Sequence, residues 1–483
     1  MLALTVLCLA ALLDTVDVTV VNVALPAIKT SLGFSEGGLA WVVNAYMVAF
    51  GGFLLFGGRT GDLLGRRRVL VAGTVLFTVA SVGSALAVTS AMLIMTRAAE
   101  GLAAAFVVPM TLAMLGSVFP AGPARNRAFA IWGGMSAAAG TLGLIAGGLL
   151  VSAAGWRWIF FINIPVGALV LAGAFRLLPR DLPRSAAGGF DLIGAISVTA
   201  GATLLAFGVV RHSWVIALLS LAPLGYFVAH ERFFASSPLM PLSMWRDRSV
   251  SGANIVSALM SSASFAMFYS TTLYMQLVLH YSALRTGLSY VPFGLAILVA
   301  AGATPQVVRL AGVRIATAAG SLVATAGLIW LAHIPASGHL LTDIILPTIV
   351  IGAGGGIVIL ATTIAAMAGA PASRHGVASS LLNVSRQLGG AIGLAVISSV
   401  ITSVTDLTGG FRVGFAVSAA LLAVAAVVSA TLLPSYGRGQ LINPLDLQAA
   451  GEQTYINRSS LSRLRVSRTM MRFLADDRTF GHN

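Results

Sequence analysis

Residues 1–26 read MLALTVLCLAALLDTVDVTVVNVALP, and Asp14 and Asp17 are the only charged side chains in the run. An apolar helix of this length covers about 30 Å of hydrocarbon. An acidic side chain in mid-span costs about 2.5–3.5 kcal/mol on the insertion scale. Here two of them stand three residues apart, on one helical face. Three readings are open: a soluble helix, a pair at a wet helix end, or a pair facing a polar cavity that binds something.

Composition removes the first. The 483-residue chain is 57% hydrophobic and 9% charged, with mean hydropathy +0.93. A soluble globular protein carries about 25% charged residues, so this chain lacks a water-facing surface. Apolar runs recur at 3–26, 39–60, 69–89, 92–118, 128–151, 158–178, 190–210, 213–230, 250–279, 286–305, 313–333, 340–369, 376–403 and 411–432. Each is near or above the length needed to cross a bilayer, and the expectation is an all-α polytopic membrane protein of fourteen spans.

A net charge of +14 would elsewhere suggest nucleic acid as a partner. Here the positive-inside rule accounts for most of it. With both termini cytoplasmic, the inner loops hold fourteen arginines, Arg66, Arg67, Arg68, Arg125, Arg127, Arg176, Arg180, Arg184, Arg232, Arg246, Arg248, Arg309, Arg314 and Arg374. The outer loops hold five basic residues, Lys29, Arg157, Arg211, Arg285 and Arg412. Cys8 is the only cysteine, so neither a disulfide framework nor a cysteine metal site is expected. The first run continues to Pro26 without a small-residue cleavage pattern, and no cleavable signal peptide is expected. It also begins almost at Met1 with no basic residue ahead of it, and a true start further upstream is the expectation.

DLLGRRRVLVAGTV (62–75) and RLAGVRIATAAGSL (309–322) align Gly65 on Gly312, Arg67 on Arg314 and one Ala-Gly pair on another. Each joins two spans, the second to the third and the tenth to the eleventh. Two six-span halves around two central spans put these loops in equivalent places, a known transporter plan. The expected organisation is an N-terminal bundle over 1–185, two linker spans with a cytoplasmic loop over 186–245, a C-terminal bundle over 246–433 and a basic tail over 434–483. Within the tail, SSLSRLRVSRTMMRFL reads equally as a basic amphipathic helix on anionic lipid and as a disordered segment.

Ionisable residues at membrane depth are functional candidates. The acidic ones are Asp14, Asp17 and Glu100; the basic ones are Arg97 and Arg386. Arg97 and Glu100 stand three apart in LIMTRAAEGLAAA and share a face. They read as a static, self-neutralising pair, or as an arginine whose approach and withdrawal sets when a carboxylate takes up a proton. Arg386 and Gln387, in NVSRQLGGAIGLA, read equally as helix packing and as a cytoplasmic mouth; with Asn44, Gln276 and Asn383 they are the candidates for a polar cavity. In GGRTGDLLGRRRVL the three arginines suit plain topology, but Asp62 four residues ahead of Arg66 suggests more. Held by arginine and by helix N-terminal N–H groups, it would be a latch. Gly143, Gly147 and Gly148, in GMSAAAGTLGLIAGGLL, mark a fifth span that packs closely or bends.

These motifs together resemble the fourteen-span drug:proton antiporters of the major facilitator superfamily, the EmrB/QacA-like branch. The likeness runs through DVTVVNVALP (17–26), WVVNAYMVAFGG (41–52), GGRTGDLLGRRR (57–68), RAAEG (97–101), WRWIFFINIPVG (156–167), YMQLVLHYSALRTGL (274–288) and GVASSLLNVSRQLGGAIG (376–393). The resemblance implies a major facilitator fold in the plasma membrane and export of hydrophobic, often cationic drugs or antibiotic-like compounds by alternating access. It implies a proton gradient as the drive, with no cofactor, metal, catalytic residue or nucleic acid, and a monomer. By the same likeness Asp17 is a proton or cation site, Arg97 a proton-coupling residue, and Asp62, Gly65, Arg66 and Arg67 the inner gate; Glu100 and Asp14 are this chain's own acids beside them, Asp14 as a modifier of cation preference. Two departures stand out: Glu100 occupies a position usually held by glutamine, and Leu144 one usually held by the proline of the antiporter motif.

The alternative on the same fold is a dedicated exporter of an endogenous metabolite, lipid or siderophore. A polytopic enzyme would have only His230-Glu231 as an adjacent acid/base pair. A nucleotide-driven pump would need a phosphate-binding Gly-Lys-Ser/Thr loop, and the only lysine is Lys29.

Overall fold

Fourteen separate apolar runs should give fourteen separate helices, and in a computed structural model most do. The structure describes residues 2–119, 123–179, 181, 191–235, 239, 242–370 and 375–435, and every regular element among them is helical. The first half holds α1 (Leu2–Leu32), α2 (Trp41–Leu64), α3 (Arg66–Ala85), α4 (Ser90–Val118), α5 (Pro123–Ala154) and α6 (Trp158–Leu177). α7 (Leu192–Val210) and α8 (Trp214–Phe234) follow. The second half holds α9 (Arg248–Val278), α10 (Val291–Leu331), α11 (Leu340–Ala368), α12 (His375–Ser403) and α13 (Leu407–Leu432). The tail helix weighed above lies outside the described residues.

Among the described residues, twelve helical stretches are long and apolar enough to cross a membrane, against the fourteen expected. Two places account for the difference. The expected spans 286–305 and 313–333 fall in one continuous stretch, Ala283–Leu331. At Gly312 the backbone leaves helical geometry, with φ 83° and ψ 161°, so two segments meet there without an intervening loop. The expected span 128–151 falls in the 32-residue α5, whose described apolar portion is only Leu142–Ala154.

Gly65, aligned with Gly312 in the sequence, has nearly the same conformation, φ 102° and ψ 134°. Both values lie where a Cβ is strongly disfavoured. The internal echo is therefore a structural one: each glycine turns the chain sharply between two helices at the same place in its half.

Residues Met1–Pro434 form one compact unit. Within it α1 lies against α4, α5 and α6, and α4 is sandwiched between α2 and α3. In the second half α10 packs on α11 and α13, and α9 on α12 and α13. The halves meet where α2 lies along α12, with α7 wedged against both, while α8 packs on α7. Small residues allow these approaches. A Cβ on Gly57 would stand 2.0 Å from Ala105 O, and one on Gly101 would stand 2.1 Å from Tyr46 O. α2 and α4 thus cross with backbone nearly in contact.

Candidate functional site

That crossing places the interior charges. Arg97 is 1% exposed, and Asp17 and Glu100 are 0% exposed. Arg97 Nη1 donates to both Asp17 Oδ2 and Glu100 Oε2. Its Nε donates to Val42 O at 3.1 Å, and the guanidinium lies over the Tyr46 ring, 4.6 Å from its centre. Asn163, on α6, donates from Nδ2 to Asp17 Oδ1 at 3.0 Å and to Ser81 Oγ on α3 at 3.2 Å. Tyr46 OH donates to Asp14 Oδ1 at 2.5 Å. Five helices therefore converge on one charge cluster: α1 gives the aspartates, α2 the tyrosine, α3 a serine, α4 the arginine and glutamate, and α6 the asparagine.

The two acids of the first helix have different surroundings. Asp17 is fully buried and engaged on both oxygens, whereas Asp14 is half-buried and held by the tyrosine. Neither sits at a helix end, since α1 runs from Leu2 to Leu32. The wet-end reading fails. The sequence pointed to Arg97 with Glu100 as an i,i+3 pair, and the structure adds Asp17 as a second carboxylate on the same nitrogen. Tyr46, Ser81 and Asn163 were not anticipated, although Tyr46 and Asn163 lie inside two of the quoted motifs.

The loop after α2 differs from the expected latch. Asp62 is half exposed and pairs with Arg66 Nη2 at 3.3 Å, one turn away. It does not hold the start of α3. That role falls to Asp181, whose two carboxylate oxygens each accept a backbone N–H, from Arg67 and from Arg68, at 3.0 Å. The first N–H groups of a helix have no internal partner and favour a negative charge, and Asp181 supplies one from 114 residues along the chain. Gly65 is required for it, because a Cβ there would stand 2.4 Å from Asp181 Cγ. Arg66 Nη1 donates to Ala113 O at 2.9 Å, and Arg67 Nη2 to Phe175 O at 2.7 Å. These arginines tie α3 to the ends of α4 and α6.

α5 is helical throughout, including Leu144. Its glycines face neighbours closely: a Cβ on Gly143 would stand 2.1 Å from Thr19 Oγ1, and one on Gly147 would stand 3.0 Å from Val20 O, both on α1. Gly148 faces Ala283 O at 2.6 Å in the same sense.

The five residues expected around a polar cavity are dispersed. Asn44 is fully buried, and neither its Oδ1 nor its Nδ2 has a hydrogen-bond partner among the described residues. Gln276 donates to Val23 O at 2.9 Å and so ties α9 to α1. Gln387 faces α2, its Cβ 3.0 Å from where a Cβ on Gly51 would stand. Asn383 is half-buried on α12. Arg386 lines a cavity between α9, α11 and α12. His230 and Glu231, the adjacent acid/base pair, are engaged separately: His230 Nε2 lies 2.9 Å from Asp191 Oδ1, and Glu231 Oε1 accepts from Leu239 N.

Charges gathered between the helices of a multi-pass membrane protein mark a functional site. The Major Facilitator Superfamily model matches residues 7–394, and the chain belongs to that superfamily. It is 37% identical over 407 residues to the cephamycin export protein of Amycolatopsis lactamdurans, covering 82% of this chain and 84% of that one. It is 34% identical over 412 residues to a puromycin resistance protein of Streptomyces alboniger, covering 82% and 80%. The fold is similar to the crystal structure of a D-xylose-proton symporter, with TM-score 0.67 at 15% identity, covering 91% of this chain and 99% of that one.

Proposed function

We propose that the chain is a proton-coupled exporter of amphipathic, antibiotic-like compounds across the plasma membrane. The observation that carries the reading is the arginine shared by two buried carboxylates on different helices. Counted as ions, Asp17, Glu100 and Arg97 leave one negative charge in surplus where water does not reach. Burying an uncompensated charge is costly, and one proton relieves it. Asp17 is carried by α1 and Arg97 and Glu100 by α4. Relative movement of these helices changes who shares the arginine, and with it whether the proton is held. Names of relatives in cephamycin export and puromycin resistance favour antibiotic-like cargo.

The fourteen-span form with both termini cytoplasmic belongs to the same proposal. It is supported by the 32-residue length of α5 and by the turn at Gly312, which divides α10 into two stretches of about twenty residues. The two bundles rock about the α2–α12 contact as a monomer, and the gradient takes the place of a cofactor. Arg66, Arg67 and Gly65 form the inner gate together with Asp181, and Asp62 has a lesser part.

The test is transport in inverted vesicles under an imposed proton gradient, following ethidium uptake together with quenching of a pH dye. The parent accumulates dye and consumes the gradient, while Asp17→Asn does neither. Equal rates for the two would remove Asp17 from coupling, and uptake that needs ATP after the gradient is collapsed would overturn the mechanism.

A further inference from the structure

Arg386 is an ionisable group within a span of the second half, and its setting is unlike that of Arg97. Arg386 is eleven residues into α12, about 16 Å along a helix of about 43 Å. It lines a cavity of about 180 Å³ together with Ser257, Met260, Ser261, Ser264 and Phe265 of α9, and with residues of α11. The α9 positions follow the i, i+3, i+4, i+7, i+8 pattern of one helical face. On α11, Ile359 O and Thr363 Oγ1 each accept from Arg386 Nη2 at 3.0 Å. These fix one corner of the guanidinium and leave Nε and Nη1 without a hydrogen bond among the described residues. No carboxylate among the described residues lies within ion-pair distance of it. The hydroxyls of Ser261 and Ser264 likewise have no partner among the described residues, whereas Ser257 Oγ donates to Thr362 Oγ1 at 3.1 Å.

We propose that this cavity receives the carboxylate of an amphipathic substrate; the proposal rests on the export reading above. A guanidinium offers a planar fork that matches a carboxylate with two parallel hydrogen bonds. Here Nη2, a prong of either fork, is held on α11, and the carboxylate oxygens take separate hydrogen bonds from Nη1, Nε and the two free hydroxyls. Met260, Phe265, Val358 and Ile359 supply the apolar wall for the adjoining skeleton. The volume suits the acidic end of a drug-sized molecule rather than its whole body, since whole-ligand pockets measure about 300–1,000 Å³. The site thus selects for an anion, in contrast to the cations that the acidic residues of the first half would suit.

The experiment uses the full chain purified in a neutral maltoside detergent, titrated calorimetrically with naproxen, cephalothin and probenecid and with the methyl ester of each. At least one acid is expected to bind tenfold or more tightly than its ester, which differs from it only in charge and one methyl group. Arg386→Gln erases that ratio, and Arg386→Lys, which keeps the charge without the fork, retains part of it. Absence of any acid-over-ester preference across the three pairs in the parent overturns the proposal, as does a preference that survives Arg386→Gln. A lipid headgroup presents an anion too. If phosphatidylglycerol added to the micelles displaces the acid from the parent at trace amounts, the cavity holds lipid and the substrate assignment falls. Preference for the acid in a protein that moves nothing under a proton gradient supports the cavity and overturns the export reading alone.

Discussion

Arg97→Met and Asp17→Asn break the same ion pair from opposite sides, and the charge count of the cluster says they are not equivalent. Arg97→Met leaves Asp17 and Glu100 facing each other at 0% exposure with no cation. Breaking a buried pair by removing one partner costs about 3–5 kcal/mol, and two carboxylates orphaned at once place this variant at the upper end. Asp17→Asn gives up a hydrogen bond to a charged group, about 1.5–3 kcal/mol, but also removes the surplus negative charge. The remaining Arg97–Glu100 pair is neutral, and the net cost expected is about 1 kcal/mol. Cys8 provides the assay: it is the only cysteine, 4% exposed and on α1, the helix that carries Asp17. A thiol-reactive fluorophore reports its exposure as the protein is heated in detergent. The midpoint should fall at least twice as far for Arg97→Met as for Asp17→Asn, while Asp17→Asn alone remains folded yet uncoupled in vesicles. Equal shifts would refute the surplus-charge reasoning, and a parent-like Arg97→Met would mean that the cluster does not hold the helices together.

Asn163→Leu removes the donor that bridges Asp17 and Ser81, and should lower stability by about 1–3 kcal/mol in the same thiol assay, with transport slowed more than substrate binding. Asp181→Ala should cost about 0.5–2 kcal/mol as a lost helix cap, against about 0–1 kcal/mol for Asp62→Ala, an exposed pair; the two variants compared by thermal midpoint and by vesicle transport separate the true holder of α3 from the expected one. Gly147→Leu pushes a side chain into the backbone of α1 and should cost about 1–3 kcal/mol by overpacking, seen as an early midpoint and loss of transport. Glu100→Gln leaves a neutral Arg97–Asp17 pair and should remain folded, and by the same charge count it should lose proton coupling in the vesicle assay; gradient-driven uptake at the parent's rate would remove Glu100 from the proton site.

The helices are legible because lipid demands long apolar runs, and the runs mark them within a few residues at most ends. The count differs at two places: Gly312, where two helices meet without a loop, and α5, whose described apolar portion is Leu142–Ala154. Within the site, legibility follows the cost of burial. Charged residues in a span cannot go unnoticed, so Asp14, Asp17, Arg97, Glu100 and Arg386 stood out. Tyr46, Ser81 and Asn163 cost far less to place in lipid and read as ordinary letters of a span. Their partners are also remote: Asn163 meets Asp17 across 146 positions, and Arg97 meets it across 80. Only the crossings of α1, α4 and α6 create those contacts. Asp181 was invisible for the opposite reason, because an acid in a polar loop costs nothing and attracts no question. The two interior arginines then part company on partners alone. Arg97 finds its carboxylates within the chain, on Asp17 and Glu100. Arg386 finds only a carbonyl and a hydroxyl among the described residues, and the proposed carboxylate is what would complete it. On the two proposals together, proton chemistry belongs to one half and the hold on an acidic cargo to the other. The two can be read out separately, one by the gradient and one by the acid and its ester.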